Sequence, residues 1–268
     1  MRGVRCALIE RMCLFSGRVA FVANTSIFAR RDGDRQVLVY EMSVGFSSDV
    51  AMILPIPVAT GAGEDAVSFV DLGGYPEFFR HLAAAFPVEE ALAASPGRGV
   101  PRGPRPAPLK VHDVGSFEAS YVPGARDFDR LDRRFRLSEE AWSALAPRYA
   151  TWGFAVFKLR GGGLVERLVG TSRAPKLHPM AFSFPTREAR LFFPTVHVHD
   201  GTAPSVAAFD HALYAQSEAP AAAHTGWVAA SRRVREVADP ARARGLLSEA
   251  PAYRRTLTGM LRNEDQYL

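Results

Sequence analysis

Short runs of β-branched and aromatic residues recur along this chain, and they lie on both sides of one stretch that is poor in apolar residues. That stretch, Ala94 to Pro108, is rich in Pro, Gly and Arg, which favours a mobile loop or linker. Short apolar runs between turn residues are typical of strands. The pattern predicts an α+β fold that is β-rich, with mostly antiparallel sheets or barrel-like halves and a few short helices.

The same stretch sets the predicted domain organisation. We expect a β-rich N-terminal half over residues 1–93, a linker or loop over 94–108, and a β-rich C-terminal half over 109–268. A chain of 268 residues with 47% hydrophobic residues can bury a sizeable core, so we expect the two halves to pack as one unit.

Individual elements follow from local patterns. The sequence Arg31-Asp32-Gly33-Asp34 predicts a hairpin turn, because Asp and Gly tolerate positive φ. The Phe and Leu spacing over Pro76–Phe86 predicts a helix. Ser138-Glu139-Glu140-Ala141 predicts the start of a second helix that reaches about Ala146, with Ser138 as its cap. Strands are predicted at residues 18–22, 25–29, 36–44, 50–54, 67–71, 109–114, 117–122, 152–159, 180–184, 191–199 and 209–215.

Composition limits the function classes. No apolar run is long enough for a membrane span, and Glu10 and Arg11 interrupt the N-terminal apolar stretch, so we expect a cytoplasmic protein with no membrane partner. The net charge of +5 favours acidic partners. Nucleic acid is the weaker choice among them, because the basic residues are scattered.

The run Leu191–Asp200 carries the most chemistry. In a strand, His197 and His199 would share one face, next to the turn carboxylate of Asp200. Such a group can bind a polar ligand or hold a transition metal, with His178 or His211 as further candidates. Two histidines that hydrogen-bond to neighbouring backbone are the more common case, so no cofactor is predicted, and a metal on His197 and His199 is the alternative.

Cys13 supports a second hypothesis. If translation began at Met12, removal of that Met would leave Cys13 with a free α-amine that could serve as its base. With Met1 to Met12 retained, a small apolar cysteine in a core strand is the expected role. Phosphate-loop, nucleophile-elbow, zinc-helix and dinucleotide motifs do not occur in the sequence.

Aromatic residues cluster near the histidines. Phe182, Phe184, Phe192 and Phe193 flank segments that contain His178, Arg187, His197 and His199. A groove between such strands would suit a peptide, and an exposed strand edge would add main-chain hydrogen bonds. The predicted ligand-binding residues are His178, Arg187, His197, His199, Asp200 and His211.

Three segments resemble a bacterial family with no assigned reaction. They are His178-Pro179-Met180-Ala181-Phe182, Phe193 to Gly201, and Phe209-Asp210-His211. The chain is also similar in kind to the accessory peptide-binding proteins of ribosomal-peptide pathways such as crocagin assembly, which implies that it binds and presents a precursor. No functional residue is carried over from that resemblance.

The sequence therefore predicts a non-catalytic peptide-binding accessory protein of ribosomal-peptide natural-product biosynthesis. Its expected partner is a peptide, favoured to be acidic, and an exposed strand edge would also allow a homodimer. The alternative is a hydrolase or cyclase acting on a peptide or amide, with Cys13 as nucleophile or a metal on His197 and His199.

Overall fold

The computed structural model describes residues 14–17, 19, 21–46, 49–87, 112–114, 117–133, 136–137, 139–159, 178–198, 203–219 and 224–268. Within these ranges, none of the helices has the length and apolar character needed to cross a membrane. The loop predicted over Ala94–Pro108 lies outside the described residues.

Fourteen strands and two α-helices make up the described chain. The helices are α1 (Phe78–Ala83) and α2 (Glu139–Tyr149). The strands are β1 (Leu14–Phe15), β2 (Phe21–Asp32), β3 (Arg35–Gly45), β4 (Val50–Ile56), β5 (Ser68–Asp71), β6 (His112–Val114), β7 (Phe117–Val122), β8 (Gly153–Leu159), β9 (Met180–Pro185), β10 (Phe192–Phe193), β11 (Val206–Gln216), β12 (Val228–Ala229), β13 (Ala252–Arg262) and β14 (Gln266–Tyr267).

These strands form two large sheets and one small one. The five-stranded sheet has the order β1-β4-β8-β7-β6, the seven-stranded sheet has the order β12-β13-β11-β2-β3-β9-β5, and β10 pairs with β14. The β11–β2 pairing is parallel, and every other pairing between described strands is antiparallel. The predicted β-rich α+β fold is confirmed, and the described strands leave each sheet open.

Both large sheets contain strands from before and after residues 94–108. In the seven-stranded sheet β2 lies beside β11 and β3 lies beside β9, while β4 lies beside β8 in the other sheet. Neighbouring strands in a sheet are joined by main-chain hydrogen bonds, so the two predicted halves share both large sheets. The division of the chain at residue 94 stays a prediction.

The main core lies between the two large sheets. Its apolar residues come from alternate positions on facing strands, as expected where two sheets pack face to face. Phe157 of β8 is fully buried there, with its ring centroid 5.7 Å from that of Phe182 and 5.6 Å from that of Phe69 on the opposite sheet. On the far side of the seven-stranded sheet, α1 packs Phe78, Phe79 and Leu82 into a second cluster.

The predicted hairpin turn is confirmed, since Gly33 has φ 60° between β2 and β3. The strands predicted over residues 18–22 and 25–29 are instead one element from residue 21, β2, with a register shift between Ala23 and Ser26. At this irregularity Asn24 has φ 54°, and its N–H donates to Asp210 Oδ2 at 2.6 Å. The carboxylate of β11 therefore holds the irregular part of β2 in place.

We expect Phe157→Ala to lower the free energy of unfolding by about 3–5 kcal/mol, because it removes a buried ring that joins the two sheets and leaves a cavity. Urea unfolding followed by circular dichroism measures this change. Val228→Ala removes an exposed side chain and serves as the control, with an expected change within about 0.5 kcal/mol. Equal effects of both substitutions would contradict this account of the core.

Candidate functional site

The segment that carries His197 is not a strand. Of the strand predicted over Leu191–His199, only Phe192–Phe193 pairs with another strand, and the chain from residue 194 to 198 is irregular. The buried side chain of Asn263 replaces a partner strand here. It accepts the His197 N–H at 2.7 Å and donates to the carbonyl oxygens of His197 at 2.7 Å and Pro204 at 2.8 Å.

This arrangement packs two predicted site residues together. The His197 ring stacks on Phe209, with 4.2 Å between centroids, and lies 5.2 Å from the ring of His211. Both histidines are almost completely buried, and His211 Nδ1 is 3.6 Å from Asp210 Oδ1. The structure thus places His197 and His211 in one aromatic stack against β11.

The remaining predicted residues lie elsewhere or outside the described chain. Burial against Phe117 lowers the pKa of His178, whose ring centroid is 4.2 Å from that of the phenylalanine. Arg187 donates to the carbonyl oxygen of Thr151 at 3.0 Å. His199, Asp200 and Cys13 fall outside the described residues.

The predicted metal on His197 and His199 therefore stays a prediction. Within the part of the chain that the structure describes, no three His, Cys, Asp or Glu side chains come together as a metal site.

Asp265 fixes the other end of the His197 segment. Its Oδ1 accepts the N–H groups of Thr195 at 3.0 Å and Val196 at 3.2 Å, and its Oδ2 accepts the Tyr149 hydroxyl at 2.6 Å. Burial raises the pKa of this carboxyl to about 6, although all three hydrogen bonds act in the opposite direction. A small cavity lined by Leu14, Ile53, Leu54, Pro55, Tyr149, Pro194, Val196, Val198 and Asp265 adjoins it.

The outer edge of β13 is exposed over most of its C-terminal half. Hydrogen-bonding direction alternates along an antiparallel strand. The bonds from Asn263 N–H to Ser205 and from Ala230 N–H to Ala252 show that odd-numbered β13 residues face β11 and even-numbered ones face outward. β12 pairs with Tyr253 and Arg254 alone, and no described strand covers the edge of residues 256–262.

Exposed apolar side chains concentrate along this edge. Four large hydrophobic residues are exposed in the described chain, and they are Val206, Val228, Met260 and Leu261. Val206 and Leu261 lie on the paired ends of β11 and β13, Met260 is 60% exposed, and Val228 is in β12. An exposed apolar cluster at an open strand edge is typical of an interaction surface.

The same strand is strongly basic. β13 contains Arg254, Arg255 and Arg262 and has no acidic residue. Arg254 lies over the Phe86 ring at 5.2 Å. The Arg262 side chain is 83% exposed, and its ion pair with Glu264 is long, at 3.9 Å. Arg255 forms no ion pair with another described residue. The edge therefore combines open main-chain groups, apolar side chains and positive charge.

Sequence reasoning missed β12, β13 and β14. In β13 the adjacent arginines and Gly259 interrupt the apolar pattern that identifies a buried strand. The alternation Thr256-Leu257-Thr258 was the available signal, because it is typical of a strand with one buried face. Thr256, Thr258, Met260 and Arg262, whose main-chain N–H and C=O groups face outward, form the β13 edge.

Because Asp265 binds its proton more tightly in the folded protein than at its ordinary pKa of 3.8, stability should fall as pH rises from about 4 through about 6. At neutral pH the ionised carboxylate would cost about 3 kcal/mol. Asp265→Asn keeps an acceptor for Thr195 and Val196. We expect the variant to be at least as stable as the original protein at pH 7.5, with the difference shrinking toward pH 4.

Urea unfolding across this pH range measures the effect. Glu264→Gln removes a neighbouring carboxylate that is exposed, and it should leave the pH dependence unchanged. A stability difference for Asp265→Asn that does not vary with pH would contradict the raised pKa.

Comparisons with known proteins add a fold likeness. No family model matches the chain, and no curated protein matches its sequence. Among solved structures, the crystal structure of baculovirus P35 is similar, with a TM-score of 0.50 and 11% sequence identity, and the match covers 96% of this chain and 99% of that one. At this identity the likeness shows a shared fold alone.

Proposed function

We propose that this protein is a non-catalytic accessory protein that binds and presents a precursor peptide in ribosomal-peptide natural-product biosynthesis. In this proposal the peptide adds as a further strand to the β13 edge. The supporting observation is the open edge itself, where four successive outward-facing residues lack a described partner strand next to exposed apolar and basic side chains.

When a peptide adds as a strand, main-chain hydrogen bonds provide the affinity and side-chain contacts provide the specificity. Each main-chain hydrogen bond contributes about 0.5–1.5 kcal/mol net, and the outward N–H and C=O groups of four residues can form several. Side chains at alternate positions then select the peptide sequence. Net positive charge accelerates the encounter with an acidic peptide.

Burial of the neighbouring histidines separates them from a peptide on the β13 edge. His197 and His211 are each 1% exposed, and the aromatic stack with Phe209 holds their rings against the sheet. A peptide on the β13 edge would therefore contact backbone and exposed side chains instead of these imidazoles. The alternative, a hydrolase or cyclase that uses Cys13 or a metal on His197 and His199, predicts a change in peptide mass.

We expect Thr258→Pro to abolish the binding that the original protein shows to candidate precursor peptides encoded beside its gene, because proline removes an outward N–H from the edge. Proline is tolerated where the N–H faces solvent, so the variant should still fold. Thr258→Val keeps the N–H and is the matched control. Calorimetric titration measures binding, and mass spectrometry of the same mixture detects any reaction.

Saturable binding with unchanged peptide mass, lost in Thr258→Pro and kept in Thr258→Val, is the expected result. Equal binding by both variants would place the peptide elsewhere. A mass change that requires Cys13 or the His197 and His199 pair would make the protein an enzyme and overturn the accessory role.

A further inference from the structure

We infer that the bound segment is an acidic peptide strand antiparallel to β13, with a carboxylate opposite Arg262 and a bulky apolar side chain opposite Gly259. This inference rests on the proposed function, because it specifies the peptide that the β13 edge would accept. Its basis is the alternation of side chains along β13, the space at Gly259 and the charge of the strand.

The existing neighbour on this edge, β12, and the energetics of strand pairing both favour an antiparallel peptide. β12 is already paired antiparallel on the same side of β13, through Val228 with Arg254 and Ala229 with Tyr253. A peptide on residues 257–262 would lie in line with β12 along one edge. Antiparallel pairing is also slightly more stable per residue than parallel pairing.

Gly259 leaves room for a ligand side chain. A Cβ built there would meet no atom within 4 Å, and the residue has φ 86° within an otherwise continuous β11–β13 register. Glycine inside a strand often marks a place where another backbone or a ligand approaches closely. Side chains of Leu257 and Leu261 point to the same face, so a large apolar residue opposite Gly259 would lie between them.

The positive charge of β13 favours an acidic residue in the bound peptide and disfavours pairing with the β13 strand of a second copy of the chain. Arg262 is highly exposed, and its nearest carboxylate, that of Glu264, is 3.9 Å away. A facing glutamate or aspartate could form a closer pair with it. Two β13 strands paired edge to edge would instead bring six arginines together with no acidic residue in either strand.

These positions define a peptide pattern. In an antiparallel strand the residue opposite Arg262 comes three positions before the residue opposite Gly259. The predicted ligand therefore has an acidic residue, two β-branched residues opposite Leu261 and Met260, and then an aromatic residue. A parallel strand would need the reverse order.

Synthetic capped peptides test this pattern on the full-length chain. The probe peptide has Glu three positions before Phe in a Val- and Thr-rich background, and the matched control has Phe three positions before Glu. We expect the probe to bind at least about tenfold more tightly than the control. Moving Phe by one position places it on the other face and should weaken binding by a similar factor.

Arg262→Glu provides the charge test. We expect this variant to bind the probe about tenfold more weakly and to regain affinity for a peptide with Lys in place of Glu. Arg232→Glu, at an exposed position outside the sheet, is the matched control and should leave binding unchanged. Equal binding of probe and reversed peptide, or an unaffected Arg262→Glu variant, would overturn the inference.

The Thr258→Pro variant distinguishes failure of the predicted peptide pattern from failure of the proposed function. Loss of precursor binding in this variant, together with no preference for the probe, would overturn the peptide pattern and keep the proposed function. Unchanged precursor binding would place the peptide elsewhere, which overturns the peptide pattern and the β13 edge as its site but keeps precursor binding. Absence of precursor binding in the original protein would overturn the proposed function. A concentration-dependent dimer in sedimentation that Thr258→Pro dissociates, and that excludes the probe, would assign the edge to a second copy and also overturn the inference.

Discussion

The pairing of β13 with β11 is the constraint on which the rest of this end of the molecule depends. Eleven residues of β13 pair with eleven residues of β11 in continuous register. From residue 255 onward, β11 is the only described strand that pairs with β13. β11 is in turn fixed by its parallel pairing with β2, where Asp210 also holds the irregular part of that strand at Asn24. The outer main chain of β13 is therefore presented on a well-supported strand.

The three residues after β13 extend this support to the histidine segment. Asn263 and Asp265 provide side-chain acceptors for the N–H groups of residues 195 to 197, which no strand satisfies. Buried main-chain groups need such partners, because an unsatisfied one costs about 1–3 kcal/mol. The position of His197 beside His211 thus depends on the same strand that offers the open edge.

The strands with dense β-branched and aromatic residues could be predicted from sequence. The pattern predicts strands at residues 36–44 and 50–54, and both lie within β3 and β4. The run around His197 has the same local pattern, yet its partner is the Asn263 side chain, 66 residues away, which periodicity cannot reveal. The pairing of His197 with His211 and the open edge of β13 were likewise beyond sequence reasoning, because both follow from long-range strand order.

The residues of β13 indicate whether its exposed edge only resists pairing with other strands or also binds a particular partner. Charged residues on an edge strand commonly prevent association with other strands, and Arg254, Arg255 and Arg262 would serve that purpose. Protection alone does not account for Val206, Met260 and Leu261, which are exposed at the same place and add apolar surface. These arginines would repel a second basic strand and attract an acidic one, and the apolar side chains would add contacts. This combination favours an edge that binds a selected partner over an edge that only resists pairing.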